Sequence, residues 1–249
     1  YINFINAKWE KNQTVKIIIL VIISVSYLLA HDAEKEGIEW KQYYRFGVVH
    51  SIELNNGIAG YYRLKRITKG AFKDIRFFGH YFKQNSEIKI RQKSSRRFLT
   101  FKKIYSFNTL IYEKNTAIDI DLRYQYSQGL GFFINKNKSG NQTLEIGISF
   151  DHEDYLNTKQ RKTYTKFGCS MDQNINNISS KFEIDYFYNI NTIESGSTLS
   201  RFQILSELQW LFTKKIGAIV GLTWDIQENN LGPSIFSTIS ITNPLDWIF

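Results

Sequence analysis

From Ile38 onward apolar and polar residues alternate with a period of two, the spacing that puts successive side chains on opposite faces of a β-strand. Over one stretch Leu122, Tyr124, Tyr126, Leu130, Phe132 and Ile134 share a face, while Asp121, Arg123, Gln125, Ser127, Gly129 and Gly131 hold the other. The next sets Leu144, Ile146, Ile148 and Phe150 against Glu145, Gly147, Ser149, Asp151 and Glu153. Then Phe182, Ile184, Tyr186, Tyr188 and Ile190 oppose Lys181, Glu183, Asp185 and Asn189. Phe202, Ile204, Leu208, Trp210 and Phe212 oppose Arg201, Gln203, Glu207 and Gln209; Ala218, Val220, Leu222, Trp224 and Ile226 oppose Gly217, Gly221, Thr223, Asp225 and Gln227.

Asn- and Gly-rich breaks separate these runs: Asn55-Asn56-Gly57, Lys69-Gly70, the stretch 135–141, the stretch 174–177, Glu194-Ser195-Gly196 and the stretch 229–233. Such residues supply the positive φ angles of tight hairpins. The segments from Trp40 to the end predict an all-β fold of about twelve antiparallel strands joined as hairpins. Glu87 to Ile104 is the least regular region, and losing a hairpin there would leave ten.

Alternation alone also suits a soluble sandwich or a lipocalin-like barrel. Three features favour an up-and-down barrel crossing a membrane. Many runs reach the ~9–11 residues that an inclined strand needs to span a bilayer. Aromatics recur near the ends of the apolar faces (Trp40, Tyr44, Tyr124, Tyr188, Trp210, Phe212, Trp224, Trp247), where interfacial girdles belong. At the end, Ile239, Ile241, Leu245, Trp247 and Phe249 keep one parity, with Pro244 on the other, where a lost donor is tolerated near a strand end.

Composition agrees. Aromatics make up 16% of the 249 residues and Pro only 2, a balance that favours strands. A mean hydropathy of −0.32 leaves no room for a bundle of transmembrane helices, yet suits a barrel in which alternate residues face lipid. One continuously apolar segment, Ile17 to Ala30, follows Lys11 and Lys16 and precedes His31, Asp32, Ala33, Glu34 and Lys35. It is shorter than the ~20 residues of a spanning helix, and with its basic flank and small Ala30 it predicts a secretory signal in residues 1–30, leaving 31–249 for the barrel.

The net charge of +9 is spread along the chain. Its densest run, Arg91 to Lys103, reads as a loop leading into a strand, and no nucleic-acid-binding motif accompanies it. Cys169, the single cysteine, excludes an internal disulfide and a cysteine-rich metal site. No catalytic or cofactor motif occurs, so no cofactor and no enzymatic activity are expected. Of the four histidines, His31 adjoins the expected cleavage point and His152 continues the apolar parity of Phe150. His50 and His80 lack the serine two residues on that barrel phospholipases carry; Ile52 and Phe82 stand there. Charges of the opposite parity, Arg123, Glu145, Glu183, Asp185, Arg201, Glu207 and Asp225, would project into the lumen, either pairing to close it or tuning a narrow polar passage.

Asp121-Leu122-Arg123-Tyr124, Gly129-Leu130-Gly131-Phe132 and the strand from Leu144 through Glu153-Asp154 resemble the core of the salt-induced outer-membrane protein family, a β-barrel family of unknown function. Up to about Ile104 the likeness is one of pattern alone. The resemblance implies a single-chain barrel in the bacterial outer membrane, with no catalytic residues to transfer. Likeness to outer-membrane barrels also implies that Phe249 is presented to the barrel assembly machinery. The reading is thus a narrow passive channel or structural protein among outer-membrane lipids. The alternatives are a soluble periplasmic lipid-binding barrel and a barrel-embedded lipid hydrolase.

Overall fold

The computed structural model describes residues 40–68, 70–118, 120–137, 139–155, 159–190, 200–226 and 232–244. The export segment expected in residues 1–30, the expected Glu194–Gly196 turn, most of the expected 229–233 turn, and Leu245, Trp247 and Phe249 lie outside them.

Twelve strands follow in order: β1 (Trp40–Ser51), β2 (Asn55–Ile67), β3 (Ala71–Phe82), β4 (Ser86–Arg97), β5 (Ile104–Asn115), β6 (Ile120–Lys136), β7 (Gly140–Tyr155), β8 (Lys159–Ile175), β9 (Ile178–Asn189), β10 (Arg201–Leu211), β11 (Ile216–Ile226) and β12 (Ser234–Pro244). Each pairs antiparallel with its chain neighbours, and β1 closes on β12 from Lys41↔Pro244 to Ser51↔Ser234. Pro244 falls in the last pair of that ladder, where its missing donor costs little.

The region 87–104 that looked irregular contains all but the first residue of β4, and the basic run beginning there is not a loop. Lys93, Arg96 and Arg97 belong to β4, and only residues 98–103 form the connection. The polar outward residues Gln92 and Ser94 hid the strand, because both faces of its second half are hydrophilic. The first hairpin also differs from expectation. Its turn occupies residues 52–54, and Asn55, with φ 64°, begins β2, so Asn56 and Gly57 already pair with His50 and Val49. At the β8–β9 hairpin Asn176 takes φ 52°, as the sequence implied.

Gly47, mid-way along β1, is linked by successive cross-strand pairs to Ala59, His80, Glu87, Asn115, Ile120 and finally Tyr155, the last residue of β7. The strands are therefore steeply inclined, as closure of a barrel requires. The middles of successive strands, rather than long runs of direct partners, share one height. One rim carries the start of β1 and the end of β12, and the other carries the end of β9 and the start of β10.

The two faces have inverted polarity. Phe46, Ile146, Leu208, Val220 and Ile239 stand exposed around the outside, with Phe46 at 68%. Arg123, Lys166 and Arg201 are buried inside at 2% exposure or less. A small apolar cluster of Val49, Ala59, Ile219 and Phe236 fills the interior beside β1, β2, β11 and β12.

Two glycines make room for inward aromatics. Phe236 lies across its partner Gly221, and Tyr105 lies across its partner Gly131. A Cβ at Gly131 would occupy the Tyr105 ring. That ring reaches inward to donate its hydroxyl to Glu145 Oε1 at 2.9 Å. Gly131→Val is expected to displace Tyr105 and cost about 1–3 kcal/mol, the usual penalty of overpacking. The check is the temperature at which the purified protein unfolds, and an unchanged temperature would contradict this packing.

Candidate functional site: the charged interior

Inward positions near the strand middles bring together a row of like charges. Arg63, Arg76 and Arg91 are lateral neighbours on β2, β3 and β4. Like charges set side by side repel, so the arrangement depends on anions. Asp74 accepts from Nε of both Arg63 and Arg76 at 2.6 Å. Glu183, on β9, meets Arg76 Nη1 at 3.6 Å, Arg91 Nη1 at 3.0 Å and Lys181 Nζ at 3.0 Å. β9 stands six places from β3 in the ring of twelve, directly across the bore. The Arg76–Glu183 contact therefore crosses the whole width of the barrel.

Two further groups complete this level. Arg45 donates Nη1 to Glu207 at 2.6 Å, with its guanidinium over the Tyr61 ring. Lys93 reaches across from β4 to Glu145 on β7 at 2.6 Å. Lys166 lies 3.7 Å from Glu145 and 3.1 Å from Asp185.

A second tier lies nearer the rim that carries the end of β9 and the start of β10. Arg123, fully buried, donates Nε to Glu153 at 2.8 Å and Nη1 to Glu113 at 3.3 Å, and approaches Asp225 on β11 at 3.9 Å. Lys162 donates to the other Glu153 oxygen at 3.0 Å. Arg201 lies over the Phe187 ring, 4.5 Å from its centre, and touches Asp151 at 3.2 Å. That Arg–Asp contact lacks hydrogen-bond alignment, so we read it as charge pairing supported by the ring face.

Beside these groups, within the same interior, is a cavity of about 150 Å³. Its lining includes Arg91 and Glu183 from the mid-level, Glu113 and Asp225 from the upper tier, and Leu54 and Ala117 at the rim. His80, bonded to Glu87 Oε2 at 3.0 Å, forms part of its wall. A vestibule thus reaches inward from one rim to a level crossed by ion pairs.

The seven charges singled out by parity all sit in this interior. Arg123, Glu145, Arg201 and Glu207 are buried, and Glu183, Asp185 and Asp225 are partly so. Asp225 also accepts from Gln203 Nε2 at 2.7 Å. Sequence reasoning passed over most of their partners, including Arg45, Asp74, Arg76, Arg91, Lys93 and Lys166. In β3 the adjacent Phe77 and Phe78 blur the parity, and in the second half of β4 no apolar face marks which residues turn inward. Asp151 and Glu153 did carry a signal, standing opposite Phe150 in a clean alternation. Among the described residues no group of His, Cys, Asp and Glu could hold a metal ion.

No family model matches the chain, and no curated protein matches it. Among solved structures it is similar to the NanC porin, at 9% identity, TM-score 0.55, over 81% of this chain and 99% of that one. It is also similar to the KdgM porin in complex with disordered oligogalacturonate (9%, TM-score 0.48, 82% and 99%). A third is an outer membrane channel from Pseudomonas putida F1 (9%, TM-score 0.48, 83% and 95%). At such identity the likeness to NanC is one of fold, and the other two are looser.

Removing one partner of a buried pair leaves a charge unpaired, at about 3–5 kcal/mol. Arg123→Met should impose part of that cost, because it leaves Glu153 to Lys162 and Glu113 to Lys89, the latter at 3.6 Å. Thermal unfolding of the purified protein measures it, and a neutral result would mean that these pairs add nothing to stability.

Proposed function

We propose that this chain is a bacterial outer-membrane β-barrel acting as a narrow passive channel, exported with the aid of residues 1–30 and constricted at mid-height by its own ion pairs. The observation that carries this reading is the inverted polarity of a closed barrel: aromatic and aliphatic side chains outside, paired charges inside. A soluble lipid-binding barrel needs the reverse, an apolar cavity under a polar exterior. Lipid, which offers no hydrogen bonds, accepts a sheet only when it is closed and apolar outside. The fold shared with a porin supports the same reading.

The width of the passage follows from the interior. With Arg76 and Arg91 meeting Glu183 across the bore, solutes larger than water and small ions are stopped at that level. The seven parity-selected charges then act as the lining that tunes what passes. No catalysis is proposed. His50 hydrogen-bonds Asn56 and His80 bonds Glu87, and neither stands in a nucleophile–base arrangement among the described residues. Kinship with the salt-induced outer-membrane protein family belongs to the proposal and rests on Asp121–Tyr124, Gly129–Phe132 and the Leu144–Asp154 strand. So do the partners, outer-membrane lipids and the assembly machinery engaged through Phe249.

The first test compares gel mobility of the detergent-extracted membrane fraction with and without boiling. A heat-dependent shift is expected, whereas equal mobility with the protein in the soluble extract would overturn the membrane reading. Planar-bilayer recording then tests the channel. Wild type should give small currents, and Arg76→Ala/Arg91→Ala larger ones, because the crossing contacts are removed. No current from either, with both forming SDS-resistant barrels, would leave a structural barrel and refute the channel.

A further inference from the structure

Around the outer surface, the residues nearest the strand middles are mostly apolar: Phe46 on β1, Ile146 and Ile148 on β7, Phe167 on β8, Leu208 on β10, Val220 on β11 and Ile239 on β12. Isolated serines at 206 and 237 sit beside Leu208 and Ile239. On β4, β5 and β6 the pattern breaks. Gln92, Asn108 and Gln128 occupy the middles of those three strands on the outward parity, with Ser94 and Ser106 one outward position towards the rim where the chain enters.

The registers make this one patch. Ser94 pairs with Asn108, and Asn108 pairs with Gln128. Ser94 Oγ donates to Asn108 Oδ1 at 2.6 Å, and the Tyr126 hydroxyl donates to Gln128 Oε1 at 3.1 Å. These bonds use the amide oxygens and leave the Asn108 and Gln128 amide hydrogens directed to no described acceptor. The Gln92 side chain has no hydrogen bond among the described residues. An amide without partners in hydrocarbon is costly, and this patch lies at the depth where hydrocarbon is thickest.

We propose that this face of β4–β6 is the contact between two copies of the chain in the membrane. The inference rests on the membrane reading above. A second copy fits for two reasons. Amides and hydroxyls each carry a donor and an acceptor, so the patch complements itself, as an isologous two-fold contact requires. Two copies inserted the same way share the membrane normal, so a two-fold axis along it brings each patch residue to its counterpart at the same depth. Ser94 and Ser106 are small and let the walls approach closely, as small residues do where membrane-spanning segments associate.

The test uses Cys169→Ser as background, because Cys169 is exposed. Asn108→Cys is placed in the patch, and Val220→Cys, on the opposite wall, serves as control. Both are oxidised in native membranes and run unreduced. A band at twice the chain's mass from Asn108→Cys but not from Val220→Cys is expected. Gln92→Leu/Asn108→Leu should convert the detergent-extracted protein from dimer to monomer in light scattering while keeping its heat-dependent mobility.

Equal bands from both positions, or none from Asn108→Cys, would overturn the pairing while leaving the membrane reading intact. A product at another mass would assign the face to a different protein and overturn it as well. A chain without heat-dependent mobility, recovered in the soluble fraction, would instead overturn the membrane reading, and the dimer with it.

Discussion

The ladder between β1 and β12 is the bond set on which everything else depends. An open sheet of eleven hairpin connections would end in two rows of unpaired amides and carbonyls, intolerable in lipid and sticky in water. Once closed, the sheet has an inside and an outside, and the period-two alternation acquires meaning at every strand. The steep strand inclination belongs to the same closure. It brings residues from distant parts of the chain to one level, so that β3, β4 and β9 can meet across the bore.

What fills the bore is charge paired with charge. Taking these groups from water is costly and the mutual attraction offsets it only where geometry is good, which accounts for the shared carboxylates: Asp74 between two arginines, Glu145 between two lysines and Tyr105, Glu153 between Arg123 and Lys162. Glycine assists by omission. Gly131 clears the space through which Tyr105 reaches Glu145. The Gly-x-Gly element that carried the family resemblance thereby contains, in its second glycine, a packing role for an interior bond.

Much of this was legible in the residues. The strand count, the hairpin order and the seven inward charges of the second half follow from parity, because β6, β7, β9, β10 and β11 keep one face predominantly apolar, with exceptions such as Gln128 and Ser206. The first half was harder to read. Inward Phe78 follows outward Phe77 on β3, β4 is polar on both sides along its lower half, and Asn55 sits after its turn rather than inside it. Contacts across the bore were beyond reach. Arg76 and Glu183 are brought together by the barrel's shear, which no local pattern encodes.

On the proposed membrane reading, the separation of those partners along the chain also shapes how such a wall would enter lipid. The β3–β4 hairpin turns Phe77 and Ile90 outward but Arg76 and Arg91 inward, and its carboxylate from across the bore arrives only with β9. Arg76 has Asp74 on its own strand, but Arg91 alone in hydrocarbon at mid-depth would carry a penalty of about 2–4 kcal/mol. Early hairpins therefore gain nothing by entering lipid singly. They are best held at an aqueous or sheltered edge until the later strands arrive, so that insertion and ring closure become one event.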